Sequence, residues 1–355
     1  MGLKEFQFWL KKNKIDLALV LNSGHNKKDP NMFYFLQKEI DFGCIAVAKK
    51  SKPLMFAPGF EYFKLRGQKI QAARLVQSKK NGLFANIKKK FPRAKRIGIN
   101  FAIFSVGELG ALKKTFKKCK VVDIGKALLE IRALKTKGEI IKLKTSAKIS
   151  QQIVQSCIEN IRKFKSERQI SDFLKAKAQA YGHELSFEPI VACGANGASP
   201  HHPPTNKKLK GFCVIDFGIK YKGYCSDITR TIYFGKPSLQ EINDYFIVLN
   251  AQKAAIEKMK IGRKCKEIMN AAEKALGKRK KFFIHGLGHG LGVDIHEQPN
   301  LKPDSDEKLR NNMIFTVEPG IYPKKYGIRI EDDVLINKGK VVMLTKPVKS
   351  LLIIH

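Results

Sequence analysis

Gly211-Phe-Cys-Val-Ile-Asp-Phe-Gly-Ile-Lys-Tyr-Lys-Gly-Tyr-Cys-Ser-Asp-Ile-Thr-Arg-Thr-Ile-Tyr-Phe234 carries an apolar run, Cys213 to Ile219, and a second strand-like segment, Tyr224 to Phe234. Both read as strands, with a turn near Lys220 to Gly223. Asp216 interrupts the apolar run, and Asp227 follows eleven residues later in the second segment. A carboxylate inside a buried strand is costly unless a cation or strong donors compensate it. An antiparallel hairpin would bring the two side chains together. The competing reading is a pair of ion-paired strand aspartates, with Arg230 as a partner for one. On this stretch alone both readings stand.

Working outward, His285-Gly-Leu-Gly-His289-Gly-Leu-Gly292 is a second unusual run. So many glycines destabilise a regular strand or helix, which implies unusual backbone or very close approaches. Such a segment lets the His289 ring enter a crowded site. His296 follows in a predicted loop. Glu318 lies in Thr316-Val-Glu-Pro-Gly320, where Pro319 must end the strand predicted from Met313 to Val317. Glu331 lies in a strand predicted from Gly327 to Ile336, with Ile328 and Ile330 alternating against Arg329 and Glu331. Taken singly, each glutamate reads as a solvated strand-edge carboxylate.

Taken together, Asp216, Asp227, His289, Glu318 and Glu331 offer four carboxylates and one imidazole. That is the ligand set a pair of hard divalent cations requires, because the four negative charges cancel the four positive ones. Without cations the same cluster would suffer like-charge repulsion and raised pKa values. The pattern points to a two-metal hydrolase.

The organisation around these segments is α+β. Helix and strand alternate first: a helix from Lys4 to Asn13, then strands at Leu17 to Leu21, Phe42 to Lys49, Pro53 to Ala57 and Leu75-Val76. A helix through Phe91 and a strand at Arg96 to Ile99 complete an open-sheet α/β unit without a phosphate-cradling glycine loop. The pattern changes near residue 128, which predicts domains of 1–128 and 129–355. One long helical stripe runs from Leu128 to Ile161. Ser166-x-x-Gln169 resembles a capping box opening a second helix through Tyr181, and Ser238-x-x-Glu241 opens a third. Gly262 interrupts before a fourth helix reaches Gly277. A repeat of helix pair plus strands is compatible with this order.

With 355 residues the chain is long enough for two cores. Hydrophobic content of 43% and charged content of 28% are globular values. Lys+Arg 68 against Asp+Glu 31 gives +37, a field that favours acidic partners such as nucleic acid. The lysine runs lack interleaved aromatics, however, and read as solvated faces, so nucleic acid is not the expected partner. The seven cysteines include no Cys-x-x-Cys pair and read as reduced thiols. The N-terminus does not read as a signal peptide, and no apolar run reaches membrane-spanning length. A cytoplasmic protein without membrane partners is expected.

The five ligand positions, each with its flanking motif, resemble the metallopeptidase family that includes aminopeptidase P, prolidase and methionine aminopeptidase, whose fold is called pita-bread. The resemblance covers about residues 130 to 345. It implies that Asp227 and Glu331 bridge two metals, that Asp216 completes one ligand set, and that His289 and Glu318 complete the other. It also implies that Glu318 shuttles a proton, and that His201 (in Ser199-Pro-His-His-Pro203) and His296 contact substrate and serve catalysis. His285 and Arg329 match further substrate-binding positions, while His202 reads as a loop neighbour. Oxygen ligands with one nitrogen suit Mn2+, with Co2+, Fe2+ or Zn2+ as alternatives.

The first ~125 residues resemble the N-terminal domain of the creatinase, prolidase and aminopeptidase P branch. Asp29-Pro-Asn-Met-Phe-Tyr-Phe35 is similar to that domain's early Asn-x-x-Tyr segment, without the glycine that usually follows, and Arg132, Lys135 and Glu139 match its inter-domain helix. The implied activity is hydrolysis of an Xaa-Pro bond, at the N-terminus of peptides or in dipeptides, by a homodimer acting on proline-containing peptides. The alternative is an inactive relative that binds protein or nucleic acid. Such relatives are expected to have lost ligand residues, and this chain keeps all five.

Overall fold

The computed structural model describes residues 2–68, 70, 72–78, 82–346 and 350–355. The chain forms two compact units, Met1–Arg132 and Ala133–His355.

The first unit is built on six strands: β1 (Leu17–Ser23), β2 (Phe42–Ala48), β3 (Leu54–Ala57), β4 (Arg74–Gln77), β5 (Arg96–Ile99) and β6 (Lys120–Asp123), in the order β4-β3-β2-β1-β5-β6. The β1–β5, β5–β6 and β3–β4 pairs are parallel, while β1–β2 and β2–β3 are antiparallel. Its helices are α1 (Leu3–Lys12), α2 (Pro30–Leu36), α3 (Gly59–Arg66), α4 (Leu83–Lys90), α5 (Val106–Thr115) and α6, which spans Gly125–Ala133. Leu17, Leu19, Phe56, Ile97 and Ile99 from the strands pack with Phe84, Ile87 and Leu112 from α4 and α5. Sequence reasoning passes over α2, α3, α5 and β6. α2 starts because the Asp29 carboxylate accepts the Asn31 N–H at 2.9 Å and Pro30 takes the first turn. α5 buries only Leu112, too narrow a stripe to register as periodicity.

The second unit holds two helix pairs, each on its own sheet. α7 (Lys137–Glu159) and α8 (Glu167–Ala180) cover strands β8 (Ile190–Cys193), β9 (Gly211–Phe217) and β12 (Ile228–Phe234). Short strands β7 (Glu184–Leu185), β10 (Ile219–Tyr221) and β11 (Tyr224–Cys225) form a small separate sheet. α9 (Leu239–Lys258) and α10 (Cys265–Leu276) cover strands β13 (Gly288–Gly290), β14 (Glu297–Leu301), β15 (Ile314–Val317), β18 (Asp332–Asn337) and β19 (Lys340–Met343), ordered β14-β13-β15-β18-β19. β16 (Gly320–Ile321) pairs with β17 (Ile328–Arg329), and β20 (Ile353–Ile354) joins β12 at the edge of the first sheet.

Two expectations need correction here. The stripe from Leu128 to Ile161 is two helices, because the chain breaks at residues 134–136 and α7 restarts with a Thr136/Glu139 capping box. Arg132 therefore closes α6, whereas Lys135 lies in the break and Glu139 in the first turn of α7. The long strands are also interrupted: β9 stops at Phe217, residues 226–227 separate β11 from β12, and residues 330–331 separate β17 from β18. All seven cysteines are free thiols, and six are buried. Among the described residues, no helix is long and apolar enough to cross a membrane.

Candidate active site

The interruptions place the acids. β9 and β12 pair antiparallel with Asp216 opposite Thr229. Side chains alternate along a strand, so Cys213, Ile215 and Phe217 enter the core under α7 and α8 while Asp216 takes the other face. Asp227, two residues before Thr229, shares that face. The turn between β10 and β11 falls at Lys222-Gly223, both with positive φ, as a tight hairpin needs. Glu318 follows the last residue of β15, and its N–H donates to the Leu287 carbonyl at 2.8 Å. Glu331 lies in the break before β18, and its N–H donates to the Thr229 carbonyl at 3.2 Å. Three of the four carboxylates thus sit where the ladder lapses and the backbone can turn inward.

His289 lies in β13. The glycines beside it serve close packing rather than a turn. A Cβ on Gly288 would lie 2.1 Å from the Thr316 carbonyl oxygen, and one on Gly290 2.1 Å from the Gln298 oxygen. No residue with a side chain fits at either of those two positions without moving the neighbouring backbone.

Asp216, Asp227, His289, Glu318, Glu331, His201, His285, His296 and Arg329 all line one cavity of about 790 Å³. Ligand atoms of Asp227, His289 and Glu331 lie within 4.8 Å of one another. His289 Nε2 is 3.7 Å from Asp227 Oδ2 and 3.5 Å from Glu318 Oε1. The His289 and His296 rings stand edge to face, 4.3 Å between centroids. Arg230 is not the partner of either aspartate; it donates to Asp332 Oδ1 at 2.8 Å. Arg329 is the guanidinium that reaches Asp216, at 2.6 Å from Oδ2.

The profile of metallopeptidase family M24 matches residues 141–338, and that of the creatinase/prolidase N-terminal domain matches residues 3–134. The chain belongs to family M24. It is 32% identical to the Xaa-Pro dipeptidase of Pyrococcus furiosus over 357 residues, 99% of each chain. The crystal structure of a prolidase from Pyrococcus horikoshii superposes with a TM-score of 0.89 at 30% identity, over 99% of each chain. That of an X-Pro aminopeptidase from Thermotoga maritima gives 0.87 at 30% identity, covering 96% of this chain and 98% of that one.

Membership in M24 implies use of a divalent metal, and the electrostatics of the cluster fit one. Asp216 Oδ1, Asp227 Oδ1 and Glu331 Oε1 are buried without a hydrogen-bond partner among the described residues. Burial, then repulsion from Glu331, Asp216 and Glu318, holds the Asp227 carboxyl well above its usual range. Glu331 is raised well above its own by burial and by Glu318 and Asp216. Glu318 is raised chiefly by burial. The His289 and His296 rings are shifted down by burial, toward the neutral form that ligates metal. Buried acids that lack donors and repel each other need an outside positive charge.

Other residues of this M24 site were hidden from the sequence. The Tyr322 hydroxyl stands 2.8 Å from both His285 Nε2 and Arg329 Nη1. The Thr229 hydroxyl donates to Glu331 Oε2 at 2.6 Å, and that of Thr316 donates to Glu318 Oε1 at 3.3 Å. Neither threonine breaks a strand pattern, so no local signal marks them. His202 also lines the cavity, with Nδ1 2.8 Å from the Pro203 carbonyl oxygen.

Proposed function

We propose that this chain is a dinuclear-metal proline peptidase that hydrolyses Xaa-Pro bonds, with Xaa-Pro dipeptides as its preferred substrates. The observation that carries the reading is a group of buried acids around one imidazole, three of whose oxygens have no donor. The similar proteins, an Xaa-Pro dipeptidase, a prolidase and an X-Pro aminopeptidase, supply the substrate class.

Asp216, Asp227, His289, Glu318 and Glu331 hold the cations, and manganese suits four carboxylates with a single nitrogen. When bound, the cations supply an activated water and polarise the scissile carbonyl. Glu318, whose proton affinity burial raises, takes a proton from the attacking water as the carboxylate and passes it to the leaving nitrogen. His296 donates to the carbonyl oxygen as negative charge develops there. His201 orients the peptide across the cavity. Arg329 fixes Asp216 through Nη2 and the Tyr322 hydroxyl through Nη1, while His285 meets that hydroxyl from its own side. The imide nitrogen of an Xaa-Pro bond has no hydrogen and its ring fixes φ. Pro200, Pro203 and Pro204 give the cavity a stiff apolar wall suited to such a ring. The reading includes a homodimer as the working form.

The test is turnover of Gly-Pro and Gly-Pro-Gly with manganese, against protein treated with chelator. Metal-dependent release of proline from Gly-Pro is the expected result, with slower attack on the tripeptide. No turnover of either peptide, together with salt-sensitive RNA binding, would replace the peptidase with a binding module.

A further inference from the structure

Glu167, the first residue of α8, is fully buried, yet it does not cap its own helix; the Ser166 hydroxyl does that, accepting the Gln169 N–H. Its carboxylate turns instead to the segment between Cys193 and Thr205. Oε1 accepts the Cys193 N–H at 2.7 Å and Asn196 Nδ2 at 3.0 Å. Oε2 accepts Asn196 Nδ2 at 3.0 Å, the Thr205 N–H at 3.0 Å and the Thr205 hydroxyl at 2.5 Å. The two ends of the segment are thereby tied to one buried charge. Between them lie Pro200, His201, His202, Pro203 and Pro204, which line the cavity.

His201 itself is exposed and makes no hydrogen bond among the described residues. Within the described residues no hydrogen bond fixes its ring, so the ring depends on the backbone that carries it. The same stretch touches the metal-ligand cluster at one further point, where Arg329 Nη1 donates to the Pro200 carbonyl at 3.3 Å. We propose that Glu167 is the positioning residue for His201: it fixes both ends of the 194–204 segment and so holds the imidazole against bound substrate. This rests on the peptidase reading for the role of His201, and on geometry alone for the anchoring.

Every group facing the Glu167 oxygens is a donor. A glutamine there must turn its NH2 toward N–H groups on one side, losing bonds and adding repulsion without a change in size. Two measurements test the proposal. The first is amide hydrogen exchange, which needs no substrate. Glu167→Gln should speed exchange across residues 193–205 while leaving β13 and β15 protected. Unchanged exchange in that segment would refute the anchoring.

The second is a double-mutant cycle on Xaa-Pro hydrolysis. Glu167→Gln should lower kcat/KM about 10- to 100-fold, mainly through KM, in the native background. Added to His201→Ala, the same change should cost less than about 2-fold, because coupled residues fail to add. Equal losses in both backgrounds would show that Glu167 does not act through His201. If Glu167→Gln does not fold, Thr205→Val removes one hydroxyl donor and keeps the backbone N–H. It should show the same coupling at smaller size, and additivity there would equally overturn the proposal. Failure of the native protein to cleave Xaa-Pro bonds would strike the peptidase reading, whereas the exchange result would still decide whether Glu167 anchors the segment.

Discussion

Glu331 and Asp332 are neighbours in sequence and equally buried, but their surroundings are opposite. Asp332 accepts Arg230 Nη2 at 2.8 Å, Gln252 Nε2 at 3.1 Å and the Thr345 hydroxyl at 2.6 Å. Glu331 has one donor, Thr229, and leaves Oε1 bare. Because successive side chains along an extended backbone point to opposite faces, one acid enters a finished polar network and the other a cavity. A buried acid with its donors in place holds the fold. A buried acid without them is left for something the chain does not contain.

Breaking the unfinished side should cost most in activity. Glu318→Gln is expected to lower kcat by about 10²- to 10⁴-fold while thermal unfolding of the protein stays cooperative. Stopped assays of proline release would show it, and full activity would remove Glu318 from proton transfer. Breaking the finished side should cost stability instead. Arg230→Met leaves Asp332 without its cation and strips donors from the Thr229, Glu331 and Lys346 carbonyls. A loss of about 3–5 kcal/mol in urea unfolding is expected for a buried pair broken on one side. The sharpest version is one substitution made at two places in metal-free protein. Asp227→Asn relieves repulsion and should stabilise by roughly 1–3 kcal/mol, whereas Asp332→Asn should destabilise by a similar amount. Matching signs in the two variants, read from melting with chelator present, would erase the distinction.

Much of the site is legible in the sequence. Asp216 stood out because charge interrupts an apolar run, Asp227 because a hairpin would bring it beside Asp216, and the glycines around His289 because regular structure does not tolerate them. All nine residues singled out line the same cavity. The strand breaks at residues 226–227 and 330–331 were not legible, since the chain there exchanges one partner for another, as when Ile330 N–H donates to Pro319 and Glu331 N–H to Thr229. Such exchanges are set by distant neighbours. The break in the Leu128–Ile161 stripe did have a local mark, Thr136-x-x-Glu139, but apolar residues on both sides kept the period alive. Tyr322, Thr229 and Glu167 carry ordinary side chains in ordinary contexts, and only their tertiary partners reveal them.

The proposed ligand residues come from the two helix-covered sheets of the second unit: Asp216 in β9 and Asp227 beside β12 on one, and His289 in β13, Glu318 just after β15 and Glu331 just before β18 on the other. On the proposed reading, ions seated among them would fasten these two sheets together across a cluster of mutually repelling acids. The supply of free cation would then set resistance to heat as well as reaction rate, each tenfold excess over the dissociation constant adding about 1.4 kcal/mol. A cell short of that metal would hold a protein that is both idle and easier to unfold.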